Sequence, residues 1–368
     1  MSEIKVNSIK GVSATSAAIT VNNTDGTCTA NLSDFGRRNH VINGNFSISQ
    51  RNGTTAYTGN GYGGPDRWYV NQSGATTSFQ QVAFAMGEQR SGSQYYAKFT
   101  SSGNDFSWIE QRIEDVTKFN SQQITISFDA KYVSAKPSGG FNVRLVHNYG
   151  TGGSPSGSTE VYWGGSNSAE SFVATTSWQR FQWNLTTSSL SGKTLGTTDN
   201  TSFVQFIIGQ GSNTGNTAWE LNIANVQIEY GAVASAFEQP RNKGDELALC
   251  QRYCHTFNGD GSQGGDGQLV ISENGTLYNS SNFFCSVTFR VSMRAKPSMS
   301  VTTGTNYYVF YSNNAGYDVT GSGLAMNGNT STEAVVINHG GTTLGTSGHT
   351  ALFRINNAGA LITLNAEL

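Results

Sequence analysis

Hydrophobic positions come in short bursts along this chain, and within most bursts they alternate with polar residues. Between residues 41 and 240 the bursts fall at 46–48, 68–70, 79–84, 95–99, 107–113, 124–132, 141–146, 179–185, 203–208 and 219–230. Gly, Ser and Asn separate them. Runs of this length and period predict about ten strands joined by tight turns, at the spacing of a β-sandwich or jelly roll. The same pattern predicts a second, smaller β domain over 259–368, with strands at 268–271, 283–291, 298–302, 307–311, 333–337 and 352–355. One stretch between them has a different period. Leu247, Cys250, Cys254 and Phe257 recur at three- and four-residue steps, which places them on one face of a short helix within 241–258. Gly244-Asp245 supplies an N-cap and Gly259 a stop.

Residues 1–39 read as a separate segment. Ile4, Val6 and Ile9 suggest one short strand, 17–21 another, and 22–26 a turn between strand-like pieces. The segment is too thinly apolar for its own core, and short strands with open edges pair with a partner. It is expected to act as an attachment arm. The chain is therefore divided into an arm at 1–39, a sandwich at 40–240, a linker helix at 241–258 and a C-terminal β domain at 259–368. Its fold class is all-β.

Composition narrows the functions open to such a chain. Charged residues are 12% and the formal net charge is −2, so there is no basic stripe to bind nucleic acid. Twenty Phe, 15 Tyr and 6 Trp exclude a disordered chain. Apolar runs of a handful of residues, such as 203–208, predict no transmembrane helix and no membrane insertion. The opening MSEIKVNSIKG lacks the apolar core of a secretory signal, which leads us to expect synthesis in a cytoplasm. Cys28, Cys250, Cys254 and Cys285 are too few and scattered for a disulfide framework.

Several segments carry a resemblance. INGNFSISQR, GPDRWYV, QRIEDV, ITISFDAKY, VRLVHNYGTGGSPS, TTSWQRFQWNL and ANVQIEYG follow one another in the order seen in jelly-roll modules of bacteriophage tail and virion proteins, which are related in form to carbohydrate-binding modules. ELALCQRYC resembles the helix that follows such modules. FRVSMRAKPSMSV and the closing NAEL resemble segments of tail-fibre C-terminal domains, and the opening MSEIKVNSIKG resembles the openings of tail-fibre-like proteins. The resemblance implies a virion structural protein with a sugar-facing fold. It also implies a structural Ca²⁺ near the opening strand, where Asn45 is a candidate ligand and an ordinary hydrogen-bonded Asn the plainer reading.

Catalytic and metal signatures are sparse. Cys250 and Cys254, with His255, put two thiols on one face, but a structural site takes four ligands and no second pair is evident, so buried thiols are expected. Asp260 and Asp266 fit no known Ca²⁺ loop and read as a solvated turn. Glu110 and Glu114 share strand parity with Arg112, which predicts a surface ion-pair ladder, with Asp115 close by. Glu160, Glu229 and Glu238 are isolated. No enzyme activity is expected.

Aromatic residues are the better lead, because a sugar's C–H face stacks on Trp and Tyr rings. Trp68, Trp178 and Trp183 fall in strand motifs and are expected in the core. Tyr57 and Tyr62 sit in a Gly-rich loop. Tyr149 closes a strand with His147 and Arg144 at alternate positions, and Trp163 follows the polar stretch 150–159. Arg144, Tyr149 and Trp163 are the candidate glycan contacts on one face; for the two rings, a core role fits equally well. The expected function is host-surface glycan adhesion by a tail fibre or fibre-like virion appendage. It would be a homotrimer joined to other virion proteins through 1–39. A capsid decoration or vertex protein and a glycan-degrading spike are the alternatives.

Overall fold

The computed structural model describes residues 38–90, 93–103, 106–137, 140–164, 172–210, 217–237, 242–259, 269–341 and 344–368, with the backbone alone at 8–9, 19–21, 28–30 and 162–164. Ten strands build the first domain: β1 Tyr69–Gln72, β2 Thr77–Ala83, β3 Tyr95–Ser101, β4 Ser107–Glu114, β5 Gln123–Tyr132, β6 Asn142–Asn148, β7 Thr159–Gly164, β8 Gln179–Thr186, β9 Phe203–Gln210 and β10 Trp219–Tyr230. They form two antiparallel five-stranded sheets, ordered β7-β6-β9-β4-β1 and β8-β5-β10-β3-β2. Most sequence neighbours are split between the sheets, as in a jelly-roll sandwich, while β2–β3 and β6–β7 pair within one sheet.

The period-two pattern explains why the sheets stack. Ile109 and Ile113 on β4, Val143 and Leu145 on β6, and Val204, Phe206 and Ile208 on β9 face Ile124, Ile126 and Phe128 on β5 and Leu221 and Ile223 on β10 in one core. Aromatic rings run through it edge to face. Phe79 meets Phe99 at 5.9 Å, Phe99 meets Trp219 at 5.1 Å, and Trp219 meets Phe141 at 5.2 Å. Burying each such ring contributes about 1.5–3 kcal/mol. Trp68 is fully buried and Trp183 packs against the core as expected. Trp178 does not. It is half-buried outside that cluster, against Phe84 and Tyr96, with Lys131 Nζ 5.2 Å from its ring.

Nine of the expected strands form here. The tenth expected segment, 46–48, forms no strand: it follows a turn over 42–45 that the Phe46 amide closes on the Asn43 carbonyl at 3.1 Å, with Asn43 and Phe46 at φ of 57° and 55°. The Asn43 amide holds that turn by donating to the carbonyls of Ile48 (2.8 Å) and Asp66 (2.9 Å). The tenth strand is instead β7, at the edge of its sheet beside β6.

A short helix, α1 Lys243–Gln251, joins the domains. Its N-cap is Asn242, whose side chain accepts from the Asp245 amide at 2.9 Å. The helix stops at Gln251, so Cys254 and Phe257 stand on a strand, β11 Cys254–Asn258, and the expected single helical face is split between two elements.

Then follow β12 Leu269–Asn279, β13 Asn282–Thr288, β14 Ser298–Val301, β15 Tyr308–Ser312, β16 Ala315–Val319, β17 Leu324–Met326, β18 Ala334–Gly340, β19 Thr350–Ile355 and β20 Leu361–Asn365. They make a three-stranded sheet, β11-β20-β14, and a seven-stranded one, β16-β15-β19-β12-β13-β18-β17, around a second core. Near the N-terminus, Ser8–Ile9, Ile19–Val21 and Cys28–Ala30 form a small antiparallel sheet.

The two large domains are tied by buried charge. Arg67, 1% exposed, stacks 3.4 Å from the Tyr253 ring centroid and ion-pairs with Glu367. Arg51 reaches the same carboxylate at 3.3 Å. Gln50 Nε2 donates to the Cys254 carbonyl at 2.9 Å, and the Asn43 backbone amide donates to Glu246 on α1.

Candidate functional site

Strand parity decides what the sandwich shows to solvent. On β4, Ile109 and Ile113 point inward, so Trp108, Glu110, Arg112 and Glu114 point outward. On β6, Val143 and Leu145 point inward, so Asn142, Arg144, Val146 and Asn148 point outward. Register then brings these residues into rows across the sheet. Tyr69 pairs with Glu110, Glu110 with Ile207, Ile207 with Arg144, and Arg144 with Trp163. In the next row Asn71 pairs with Trp108, Trp108 with Gly209, and Gly209 with Asn142.

The two ends of this outer face differ. At one end Arg112 and Tyr62 donate to the Leu368 carbonyl, the latter at 3.3 Å, so the C-terminal residues lie over it. Glu114 there is gripped by Arg252 at 3.1 Å and Arg294 at 3.9 Å. The other end, around Trp108 and Arg144, carries no such cover from 365–368. Trp108 is half-exposed and stacks on Phe106 with centroids 4.3 Å apart. Its Nε1 donates to Glu110 at 3.0 Å, which fixes the indole. The Arg144 guanidinium lies 5.8 Å from the Trp108 centroid and donates to Glu160 at 2.9 Å. Gly209 keeps the row tight: at φ 154° a Cβ there would stand 2.5 Å from Trp108 Cα.

Asn142 completes the row. It is 3% exposed, and neither its amide nitrogen nor its oxygen has a partner among the described residues. A buried amide without partners costs about 1–3 kcal/mol, and the cost is recovered when a ligand or water bonds it. Together the two rows offer a fixed ring, a guanidinium and an amide without a partner among the described residues.

The expected contacts divide accordingly. Arg144 is on this face. Trp163 is paired to it through the backbone, and its side chain lies outside the described residues. Tyr149 is not on this face: it is 1% exposed in the sandwich core, and its hydroxyl contacts Thr159 at 2.9 Å. Arg144 and Tyr149 are five residues apart, an odd number, so a strand sends them to opposite sides. His147 shares the parity of Tyr149 and is also fully buried. Burial lowers its pKa to about 4, and neither ring nitrogen has a partner among the described residues. Tyr62 is covered by Leu368, and Tyr57 packs on the core. Trp108 and Asn142 went unnoticed in the sequence, although each lies two residues from a residue already marked on that face or strand, Glu110 and Arg144.

The carboxylates marked in the sequence and described in the structure are already engaged. Glu110 is fully buried and accepts from Trp108, from Arg112 Nε at 3.0 Å and from Gln205 at 2.5 Å, so the expected surface ladder is a buried pair with Arg112. Glu229 accepts from Gln227 and Ser235, and Asp115 from the Thr117 amide. Glu238, Asp260 and Asp266 lie outside the described residues. The Asn45 side-chain oxygen accepts from the Ser47 amide at 3.2 Å. Among the described residues no three His, Cys, Asp or Glu cluster as metal ligands. Burial pushes the Cys254 and Cys285 thiols up to about 12 and Cys250 well above its ordinary value, so these are inert core groups.

No protein-family model matches the chain, and no curated protein does. Solved structures similar to it include a family 11 carbohydrate-binding module from Clostridium thermocellum in complex with a β-1,3-1,4-mixed-linked tetrasaccharide (14% identity, 49% of this chain and 98% of that one, TM-score 0.30). A xylan-binding family 22 domain from Paenibacillus barcinonensis covers 45% of this chain and 92% of its own at 11% identity and TM-score 0.30. A family 61 module in complex with β-1,4-galactotriose covers 53% and 100% at 12% identity and TM-score 0.27. At such identities and scores the likeness says nothing of a ligand here.

Proposed function

We propose that this chain is a non-catalytic glycan-binding structural protein, carried as a fibre-like appendage on a bacteriophage virion, and that it holds host-surface sugar on the outer face of its first sheet. The observation that supports the binding reading most directly is the patch of Trp108, Arg144 and Asn142 on two neighbouring rows, in which a buried amide has no partner among the described residues beside an immobilised, partly exposed indole. An indole face stacks on sugar C–H groups, while the guanidinium and amide bond hydroxyls. Binding without cleavage accords with Glu110, whose oxygens are already occupied by donors. The N-terminal strands of two and three residues form a sheet too small to be stable alone, which suits an arm docked on another virion protein. In a homotrimer, three weak sites would add by avidity.

Binding of the whole chain to immobilised oligosaccharides tests the reading. Trp108→Ala and Arg144→Ala should each weaken binding about tenfold, near 1.4 kcal/mol, with the sugar recovered uncleaved. Unchanged binding in both variants would remove this face from the function. Cryo-electron microscopy of the particle tests the placement: density on the capsid shell would replace the tail position.

A further inference from the structure

The seven-stranded sheet of the second domain carries an open depression of about 330 Å³ on its outer face, lined by Glu273, Tyr311, Asn313, Asn314, Thr350 and Leu352. Pockets for small ligands run from about 300 to 1,000 Å³, so the space suits one or two sugar rings. Its walls follow from strand geometry. Tyr308 and Phe310 are fully buried on β15, so Tyr311 between β16 and β19 faces out and is 40% exposed.

That ring is exposed and yet held. The Arg354 guanidinium lies 4.4 Å from its centroid, donates to its hydroxyl at 2.9 Å and donates to Asn356 at 2.9 Å. Gly316 opposite leaves room for it: a Cβ there would stand 3.2 Å from the ring. A ring already fixed loses little rotamer entropy when a ligand stacks on it. The rim is preset as well. Asn313 and Asn314 form the two-residue turn between β15 and β16, with φ of 49° and 61°, a left-handed pair that Asn adopts readily. Glu273 comes from an irregular part of β12, where the register with β19 shifts between Ser272 and Gly275, and its carboxylate is exposed.

We propose that this depression is a second saccharide site, independent of the sandwich face, which takes a neutral sugar. The Tyr311 ring stacks on the C–H face. The Glu273 carboxylate accepts from hydroxyls, and the Asn313 and Asn314 amides donate to and accept from the rest. The Glu273 carboxylate on the rim and the Arg354 guanidinium held on the ring offset each other, which suits a sugar without net charge.

The test uses the whole chain against a printed array of neutral gluco-, galacto- and manno-oligosaccharides and of sialylated and uronic-acid oligosaccharides. Calorimetry on the strongest neutral binder follows. Variants are Tyr311→Ala, Tyr311→Phe, Glu273→Gln and, for the sandwich face, Trp108→Ala. Binding of at least one neutral oligosaccharide should survive Trp108→Ala, fall about tenfold in Tyr311→Ala and Glu273→Gln, and persist in Tyr311→Phe, with the melting temperature of each variant near wild type. That pattern stands even if the sandwich face binds nothing. An array with no signal dependent on Tyr311, or one confined to acidic sugars, overturns the proposal. So does a change of sedimentation coefficient in Tyr311→Ala without loss of sugar binding, which would assign the ring to contact between copies.

Discussion

His147 offers a quantitative check on the packing of the sandwich. The imidazole is fully buried between the sheets, and burial alone lowers its pKa from 6.5 to about 4. The unfolded chain titrates this group near 6.5, so between pH 6.5 and 4 the unfolded state binds a proton that the folded state refuses. Stability from this group is complete above pH 6.5 and falls as the pH drops toward 4. The full effect is about 3 kcal/mol, at 1.36 kcal/mol per pH unit, of which about 2 kcal/mol is lost by pH 5. His255 and His339 are also lowered by burial and act in the same direction. A single replacement isolates the His147 share. Urea unfolding of wild type and His147→Leu at pH 7.5 and pH 5 should show the variant losing about 2 kcal/mol less stability across that interval. Equal losses, or a native His147 resonance titrating near pH 6.5, would refute the argument that the ring is held neutral in a dry core.

Two further outcomes follow from buried groups. Glu367→Ala leaves the Arg67 guanidinium buried without its carboxylate, and removing one partner of a buried pair costs about 3–5 kcal/mol; the second domain should melt earlier, and limited proteolysis should cut near α1. Cys250, Cys254 and Cys285 should resist a thiol reagent at pH 8 in the native protein and react on unfolding, since a pKa of about 12 leaves roughly one thiolate in ten thousand; native-state labelling of these three by mass spectrometry would contradict the packing.

The fold was largely legible in local pattern. Period-two alternation in 107–113, 124–132 and 203–208 marks strands because side chains alternate faces whatever the strand pairs with. Arg144 was readable as an outward-pointing strand residue for the same reason. Tyr149 stayed open between core and site because an aromatic ring reads alike in both, although its odd spacing from Arg144 already favoured the core. The helix from α1 was drawn too long, since Cys254 and Phe257 satisfy helical spacing but pair with Asn365 and Ile362 on β20, a hundred residues away.

What the sequence determines by itself is therefore what a strand encodes within its own length: two β domains, a short helix between them, a core of alternating aromatics and aliphatics, and a surface poor in charge. What only the tertiary structure decides is which strands lie side by side. Trp108, Gly209 and Asn142 become one row because β9 inserts between β4 and β6. Glu110 is buried because Arg112 and Gln205 close over it, and Leu368 crosses the end of the same face. Apart from the Glu110–Arg112 pair, these contacts join residues tens to hundreds of positions apart. Their energy lies in pairing and burial between segments, and no periodicity within one segment records its partner.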